Sequence, residues 1–423
     1  MILVKNVHLG ARTPTEGQKA GEALGLAKAS IAPMGMRALG TVLGFLVSVM
    51  IGRRLGDEIL GSYAVGSGAM LLGASLARLG QDVELTRFIA AAGASSGATP
   101  WGAVCGVLLA VGRNGLGLAL LGSAFAVAAG LGATVIVGVL AIPGVAVVGA
   151  LAGVARGINR PSLAVGLDAV VVPLGTLPMV LLAGDSVAAL AGHGAVWATT
   201  AVVGLLLVYR HEGADSTSIR SLLRVGGPLA GLAALNIALA ATDVVLVNFL
   251  RGSAQAGHYT AAARLAFIST SVLVVANAVL QPRIAALWHL GQRDVLRRLL
   301  GTATGLLAAA AVVVSVTLTL GARPLLLIFG GEFEAAVAPL RVLAIGQFVM
   351  LASGPVGAVL LMTGHSHRQI EATVVAVFVN IVADIILIPR YGVMGAAVAT
   401  ALALSVKNLT GAFWAWRVVG VRS

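Results

Sequence analysis

The sequence predicts an all-α polytopic membrane protein with twelve transmembrane helices in two parallel six-helix lobes around a central cavity. Composition, the length of the apolar runs and a set of patterns that occurs twice predict it. Of 423 residues, 58% are hydrophobic and only 10% are charged, with a mean hydropathy of +0.99, whereas ordinary soluble chains carry about 25% charged residues. The apolar runs match the ~20 residues a helix needs to cross hydrocarbon and lack the short alternation of a membrane β-strand. Gly56-x4-Gly61-x-Tyr63, with Arg87 further on, returns as Gly252-x4-Gly257-x-Tyr259 with Arg283, every member displaced by 196 positions. Gly157 and Arg160 return as Gly364 and His367, and Gly194-Ala195-x-x-Ala198-Thr199 returns as Gly395-Ala396-x-x-Ala399-Thr400. Three colinear matches make two homologous halves.

The apolar spans of the first half lie near 31–52, 60–80, 98–122, 131–154, 161–183 and 188–209. Those of the second lie near 225–249, 258–280, 299–320, 336–361, 370–389 and 392–416. Arg113-Asn114 could divide the third span into two, and basic residues decide against it through the positive-inside rule. With twelve spans and the N-terminus inside, 18 of the 28 Lys and Arg fall on the cytoplasmic side, Arg78, Arg156 and Arg368 among them. Only Arg53, Arg54, Arg251, Arg323 and Arg390 fall outside, and Arg37, Arg113, Arg264, Arg341 and Lys407 lie within spans. The net charge of +12 is then a topology signal and a contact with the lipid bilayer, with no nucleic acid implied.

Residues 1–30 lack the apolar core and cleavage site of a secretory signal and read as a disordered cytoplasmic tail. Residues 31–209 and 225–416 form the two lobes, 210–224 a cytoplasmic linker and 417–423 a cytoplasmic tail. A lone Cys105 excludes an intrachain disulfide. Six spans per half make the lobes parallel, related by an axis along the membrane normal, with a cavity between them suited to alternating access. Pro33 and Pro228, near-equivalent in the repeat, read as helix-start prolines or as kinks at that cavity.

Asp243, Gly252-x4-Gly257-x-Tyr259-x-Ala261-Ala262, Gln281-Pro282-Arg283, Leu327-Ile328-Phe329-Gly330, Asn380 and Leu387-Ile388-Pro389-x-Tyr391-Gly392-x-x-Gly395-Ala396-Ala397 together resemble the polysaccharide-exporter branch of the multidrug/oligosaccharidyl-lipid/polysaccharide flippase superfamily. The resemblance runs over nearly the whole chain and is strongest from 220 to 405. It implies a transporter of the bacterial inner membrane that turns undecaprenyl-pyrophosphate-linked oligosaccharide over to the outer leaflet, beside polysaccharide polymerase and glycosyltransferases. It implies no cofactor.

Charges inside spans are costly and mark wet or functional positions. Arg37 and Arg264, on helices expected to line the cavity, are the first choices for an anionic pyrophosphate, because the guanidinium fork matches phosphate oxygens. Lys407 and Arg341 follow, with a lobe-internal contact and an outer-surface position as their structural readings. Asp243 and Arg264 each lie six residues from the ends of adjoining spans, about 9 Å from the same boundary, so they can meet as an ion pair or a switch. Asp168 and Asp384, placed away from the cavity, are candidates for a proton relay or internal hydrogen bonds. Asn236, Asn248, Asn277 and Asn380 read as interhelical amides. Gly61, Tyr63, Gly257 and Tyr259 read as turn and packing residues.

A cation-coupled multidrug exporter of the same superfamily would want a carboxylate in the first helix, where this chain has Arg37. A metal-dependent glycosyltransferase or an oligosaccharide ligase would want a D-x-D-type acid pair and a large aqueous loop. The chain has neither, its seven histidines form no zinc-ligand motif, and no Walker-type loop is present. The sequence therefore predicts no enzyme. At the 196-residue shift Arg37 faces Ala233, Asp243 faces Val47 and Arg264 faces Gly68, so the halves differ where the chemistry is expected.

Overall fold

The computed structural model describes residues 16–96, 101–208 and 228–420. The linker proposed for 210–224 lies outside them. The N-terminal lobe comprises α1 (Glu16–Leu55), α2 (Asp57–Arg78), α3 (Gln81–Ser96), α4 (Trp101–Ala128), α5 (Ala133–Leu140), α6 (Ile142–Gly157), α7 (Pro161–Val165), a π-helical turn (Gly166–Val171), α8 (Val172–Leu182) and α9 (Ser186–Val208). The C-terminal lobe comprises α10 (Pro228–Arg251), α11 (Ser253–Ala266), α12 (Ile268–His289), α13 (Arg293–Leu320), α14 (Ala322–Leu327), a 3-10 turn (Gly331–Ala336), α15 (Val337–Ala352), α16 (Val356–Met362), α17 (Ser366–Tyr391) and α18 (Val393–Gly420). Among the described residues eleven helices or joined helix pairs are long and apolar enough to cross a bilayer. The 24-residue α10 takes the remaining place.

Several boundaries differ from the sequence reading. Arg113 and Asn114 do not break the third span: α4 runs unbroken through them, with Arg113 exposed and Asn114 donating to the Ala77 carbonyl. The stretch after 80, read as loop, is helix α3, set off from α2 by Leu79 and Gly80 at positive φ. Part of the expected N-terminal tail is helical, since α1 begins at Glu16, and α18 runs to Gly420 into the expected C-terminal tail. Pro33 sits inside α1 and lines a cavity, so the helix-start reading fails for it.

The duplicated glycines explain how the lobes meet. Gly56 and Gly252 share a φ of 90°, which L-residues rarely adopt, and each turns one long helix into the next within a single residue. Five positions on, Gly61 and Gly257 cross each other. A Cβ on Gly61 would lie 1.9 Å from the Ser253 carbonyl oxygen, and one on Gly257 would lie 2.0 Å from that of Asp57. No side chain fits between α2 and α11 there, so the residues shared by the two halves mark the pseudo-twofold contact. At this end one apolar core spans both lobes, joining Ile51, Leu60 and Tyr63 to Tyr259, Phe329 and Phe333. Towards the opposite end the core divides. Met70, Leu85 and Trp101 belong to an N-lobe cluster, and Leu280, Ile284 and Val359 to a C-lobe cluster. The lobes are joined at the Gly61/Gly257 end and have separate interiors at the other.

The fifth span carries a local irregularity that reaches the cavity. Pro173 has no N–H for the carbonyl of Ala169, and the chain passes through a π-turn there. Gly40 of α1 covers that carbonyl, since a Cβ on Gly40 would lie 2.1 Å from it. This close approach brings Arg37 of α1 to Asp168 of the π-turn.

Candidate functional site: an arginine-lined cavity between the lobes

A cavity of about 800 Å³ lies between the lobes, walled by α1 and α2 on one side and by α10, α11 and α12 on the other. Among the described residues its charged lining is Arg37, Arg156 and Arg264, with no Asp or Glu in this part of the space. A second space of about 550 Å³ continues into the N-lobe, and the same three arginines line it with Arg78, Asp82 and Asp168. Four arginines thus face two aspartates across the joined space. Arg78 and Arg156 end α2 and α6, so the space reaches towards the end where the lobes have separate cores.

Arg37 is held by Asp168 at 3.5 Å, with the two side chains 55% and 28% exposed. The pair is loose: one nitrogen contacts one oxygen, and Asp168 Oδ1 is buried without a donor. Asp168 therefore lies at the cavity wall, contrary to the expectation that the fifth helix keeps it away. The π-turn and the Gly40 contact explain this placement. Arg264, in the last turn of α11 before the break at Phe267, faces the cavity and among the described residues has no carboxylate within ion-pair distance.

The expected Asp243–Arg264 pair is not formed. Asp243 is buried at 1% exposure and points into the C-lobe, where Tyr259 donates to its Oδ2 and Thr400 Oγ1 lies 2.6 Å from the same oxygen. Tyr259 does not line the cavity, and it, not Arg264, takes the carboxylate. Asp384 of α17 is fully buried. Both Asp384 oxygens, Asp243 Oδ1 and both amide atoms of Asn380 are buried without a hydrogen-bond partner. Lys407 is likewise absent from the cavity lining, because its Nζ is 2.6 Å from Asn236 Oδ1. Asn236 in turn donates to Leu232 and faces the cavity, which leaves Lys407 one side chain removed from it. Arg341 is exposed near the joined end, donating to the Thr319 carbonyl at 3.2 Å. It is no part of the cavity.

Sequence reasoning missed three contributors. Arg156 and Arg78 read as headgroup-facing charges at span ends, yet both line the cavity. Tyr63, the repeat partner of Tyr259, is hydrogen-bonded to His193 Nδ1, and His193 stacks on Trp197 with ring centroids 6.2 Å apart. The duplication was the available signal: a tyrosine kept at one position in both halves serves each lobe as the clamp for a different titratable group.

This geometry has known counterparts. The chain aligns with an inward-facing multidrug resistance MATE transporter of the MOP superfamily over 92% of its length and 98% of that chain, at 14% identity and a TM-score of 0.75. The chain has the fold of the MOP transporters. It also aligns with the lipid II flippase MurJ in an inward closed conformation, over 92% of its length and 87% of that chain, at 14% identity and a TM-score of 0.73. In sequence, 96 residues are 31% identical to the probable low-salt glycan biosynthesis flippase Agl15 of Haloferax volcanii. That stretch is 23% of this chain and spans 20% of the relative's length. No family model matches the chain.

Proposed function

We propose that this protein is a transporter that moves a lipid-linked oligosaccharide across the membrane by alternating access, with the cavity arginines holding the pyrophosphate of the carrier. The observation that carries the reading is the interlobe cavity lined by Arg37, Arg156 and Arg264, with four arginines against two aspartates over the joined space. A guanidinium cluster in a low-dielectric cavity suits a pyrophosphate and repels a cationic drug. The undecaprenyl carrier and the polysaccharide pathway come from the sequence resemblance, and the partial match to a glycan flippase supports them.

In this reading the Gly61/Gly257 end faces outward and the arginine-rich end faces the cytoplasm, in a bacterial inner membrane with both termini inside. The positive-inside distribution supports that orientation. The lobes comprise 31–209 and 225–416, joined by 210–224. Asp168 and Asp384 remain the candidates for a proton relay in this reading, since each carries a buried carboxyl oxygen without a hydrogen-bond partner among the described residues. Glycosyltransferases and a polymerase would supply and consume the glycan, and the chain itself performs no bond chemistry.

The test is flipping of a fluorescent undecaprenyl-pyrophosphate oligosaccharide in proteoliposomes. Wild type flips it, and Arg264→Ala and Arg37→Ala each reduce the rate by about tenfold or more, the loss of one charge-assisted contact of at least 1.4 kcal/mol. Full activity of both variants, or export of ethidium in place of the lipid, overturns the reading.

A further inference from the structure

The C-lobe carries a second cationic pocket, remote from the cavity. At the end opposite Gly252, a space of about 470 Å³ is walled by Trp288, His365, His367, Arg368, Trp414 and Arg417 from α12, α17, α18 and the turn before α17. Its walls are pre-oriented. The Arg368 guanidinium lies 3.8 Å over the Trp414 ring and 2.8 Å from Glu371. Arg417 lies 4.7 Å over Phe413 and among the described residues has no carboxylate within ion-pair distance. His365 is held by Thr363 at 3.1 Å and meets Trp288 edge-on. On the far face of Trp288 lies Arg293, at 3.1 Å, with a buried Nη1 that has no acceptor. Stacking fixes the planes of these guanidinium groups while leaving N–H edges to bind oxygen.

Two features say what the pocket takes. Its aromatic wall is not part of the repeat: the duplication places Ala92 opposite Trp288, although the basic His367 does have a counterpart in Arg160. It also sits at the ends of apolar helices beside exposed aromatics, Phe413 at 46% and Trp416 at 71% exposure. Aromatic rings at such a level belong to the bilayer interface, where a cationic pocket meets lipid headgroups.

We propose that this pocket binds the phosphate headgroup of an anionic phospholipid. The phosphodiester oxygens sit against Arg368 and Arg417, and the glycerol and acyl portions lie along Phe413 and Trp416. The site is independent of the cargo cavity and of the transport reading. By bridging α12, α17 and α18 at one end of the C-lobe, the lipid ties that lobe to the leaflet it faces.

The test uses the full-length protein in nanodiscs or mixed micelles. Phosphatidylglycerol is titrated against phosphatidylcholine, and retained lipid is read by native mass spectrometry beside the melting temperature. Wild type retains phosphatidylglycerol preferentially, and Arg368→Gln/Arg417→Gln lowers that preference by about tenfold, as expected for two arginines near a charged surface. Arg53→Ala/Arg54→Ala, at the opposite end, leaves it unchanged. In wild type alone the preference must also weaken between about 0.05 and 0.5 M salt, which keeps the test intact should the double variant fail to fold. Equal retention by wild type and the double variant overturns the proposal. So does a salt-insensitive preference, or displacement of the lipid by millimolar glycerol phosphate, which assigns the pocket to soluble phosphates.

Discussion

Replacing Gly257 by alanine should reopen the joined end of the molecule. The new Cβ would stand 2.0 Å from the Asp57 carbonyl oxygen and 2.7 Å from its carbon, whereas close C–H···O contacts sit at about 3.3–3.6 Å. Helices α2 and α11 must therefore part by more than about 1 Å at their crossing. Overpacking of this kind costs about 1–3 kcal/mol. Because the crossing exists only while the lobes are joined at this end, the cost falls on this conformation, shifting the equilibrium about 5- to 150-fold towards one open there. Gly61→Ala, at 1.9 Å from the Ser253 oxygen, should act alike, and the double variant should show less than the sum, since the first methyl has already separated the helices. The reporter is a cysteine at Thr41, which lines both cavities, in a Cys105→Ser background, labelled with a membrane-impermeant maleimide. Labelling from the Gly56 side should rise at least fivefold in Gly257→Ala and fall from the opposite side. Gly35→Ala, whose Cβ meets nothing within 4 Å, should leave both unchanged. Unaltered labelling from both sides in Gly61→Ala and Gly257→Ala, with the melting temperature preserved, would refute the idea that this crossing gates the cavity.

Two further outcomes follow from the same geometry. Tyr259→Phe removes a buried hydroxyl that bonds both Asp243 and Thr400 and should cost about 1–3 kcal/mol, against about 0.5–1.5 for Tyr63→Phe, whose hydroxyl meets His193; a smaller drop in detergent melting temperature for Tyr259→Phe than for Tyr63→Phe would refute that ranking. Asp168→Asn frees Arg37 from a partly exposed pair contributing at most about 1 kcal/mol, so affinity for inorganic pyrophosphate should rise up to about fivefold by calorimetry, and no rise would mean that Asp168 does not compete for that guanidinium.

The repeat carried most of the fold because it records what both lobes need: a one-residue turn at Gly56 and Gly252, a bare backbone at Gly61 and Gly257, and a tyrosine clamp at 63 and 259. These constraints are local in sequence and recur at a fixed spacing, so they are visible without coordinates. The site was only half legible, and the failures have a common cause. Arg37 and Arg264 could be chosen because a charge inside an apolar span is costly wherever it points. Which way it points depends on neighbours far away in sequence. Asp243 turns from Arg264 because Thr400, 157 residues on, completes its shell with Tyr259. Asp168 reaches the cavity because Pro173 bends the fifth span into a π-turn that only a glycine at position 40 lets α1 approach. Arg156 counted towards topology by its place at a span end, yet the same side chain also lines the space between the lobes. In a two-lobed transporter a helix end near the pseudo-axis is at once membrane surface and cavity mouth. Basic side chains concentrated there can serve both at once, orienting the chain and lining the space between the lobes.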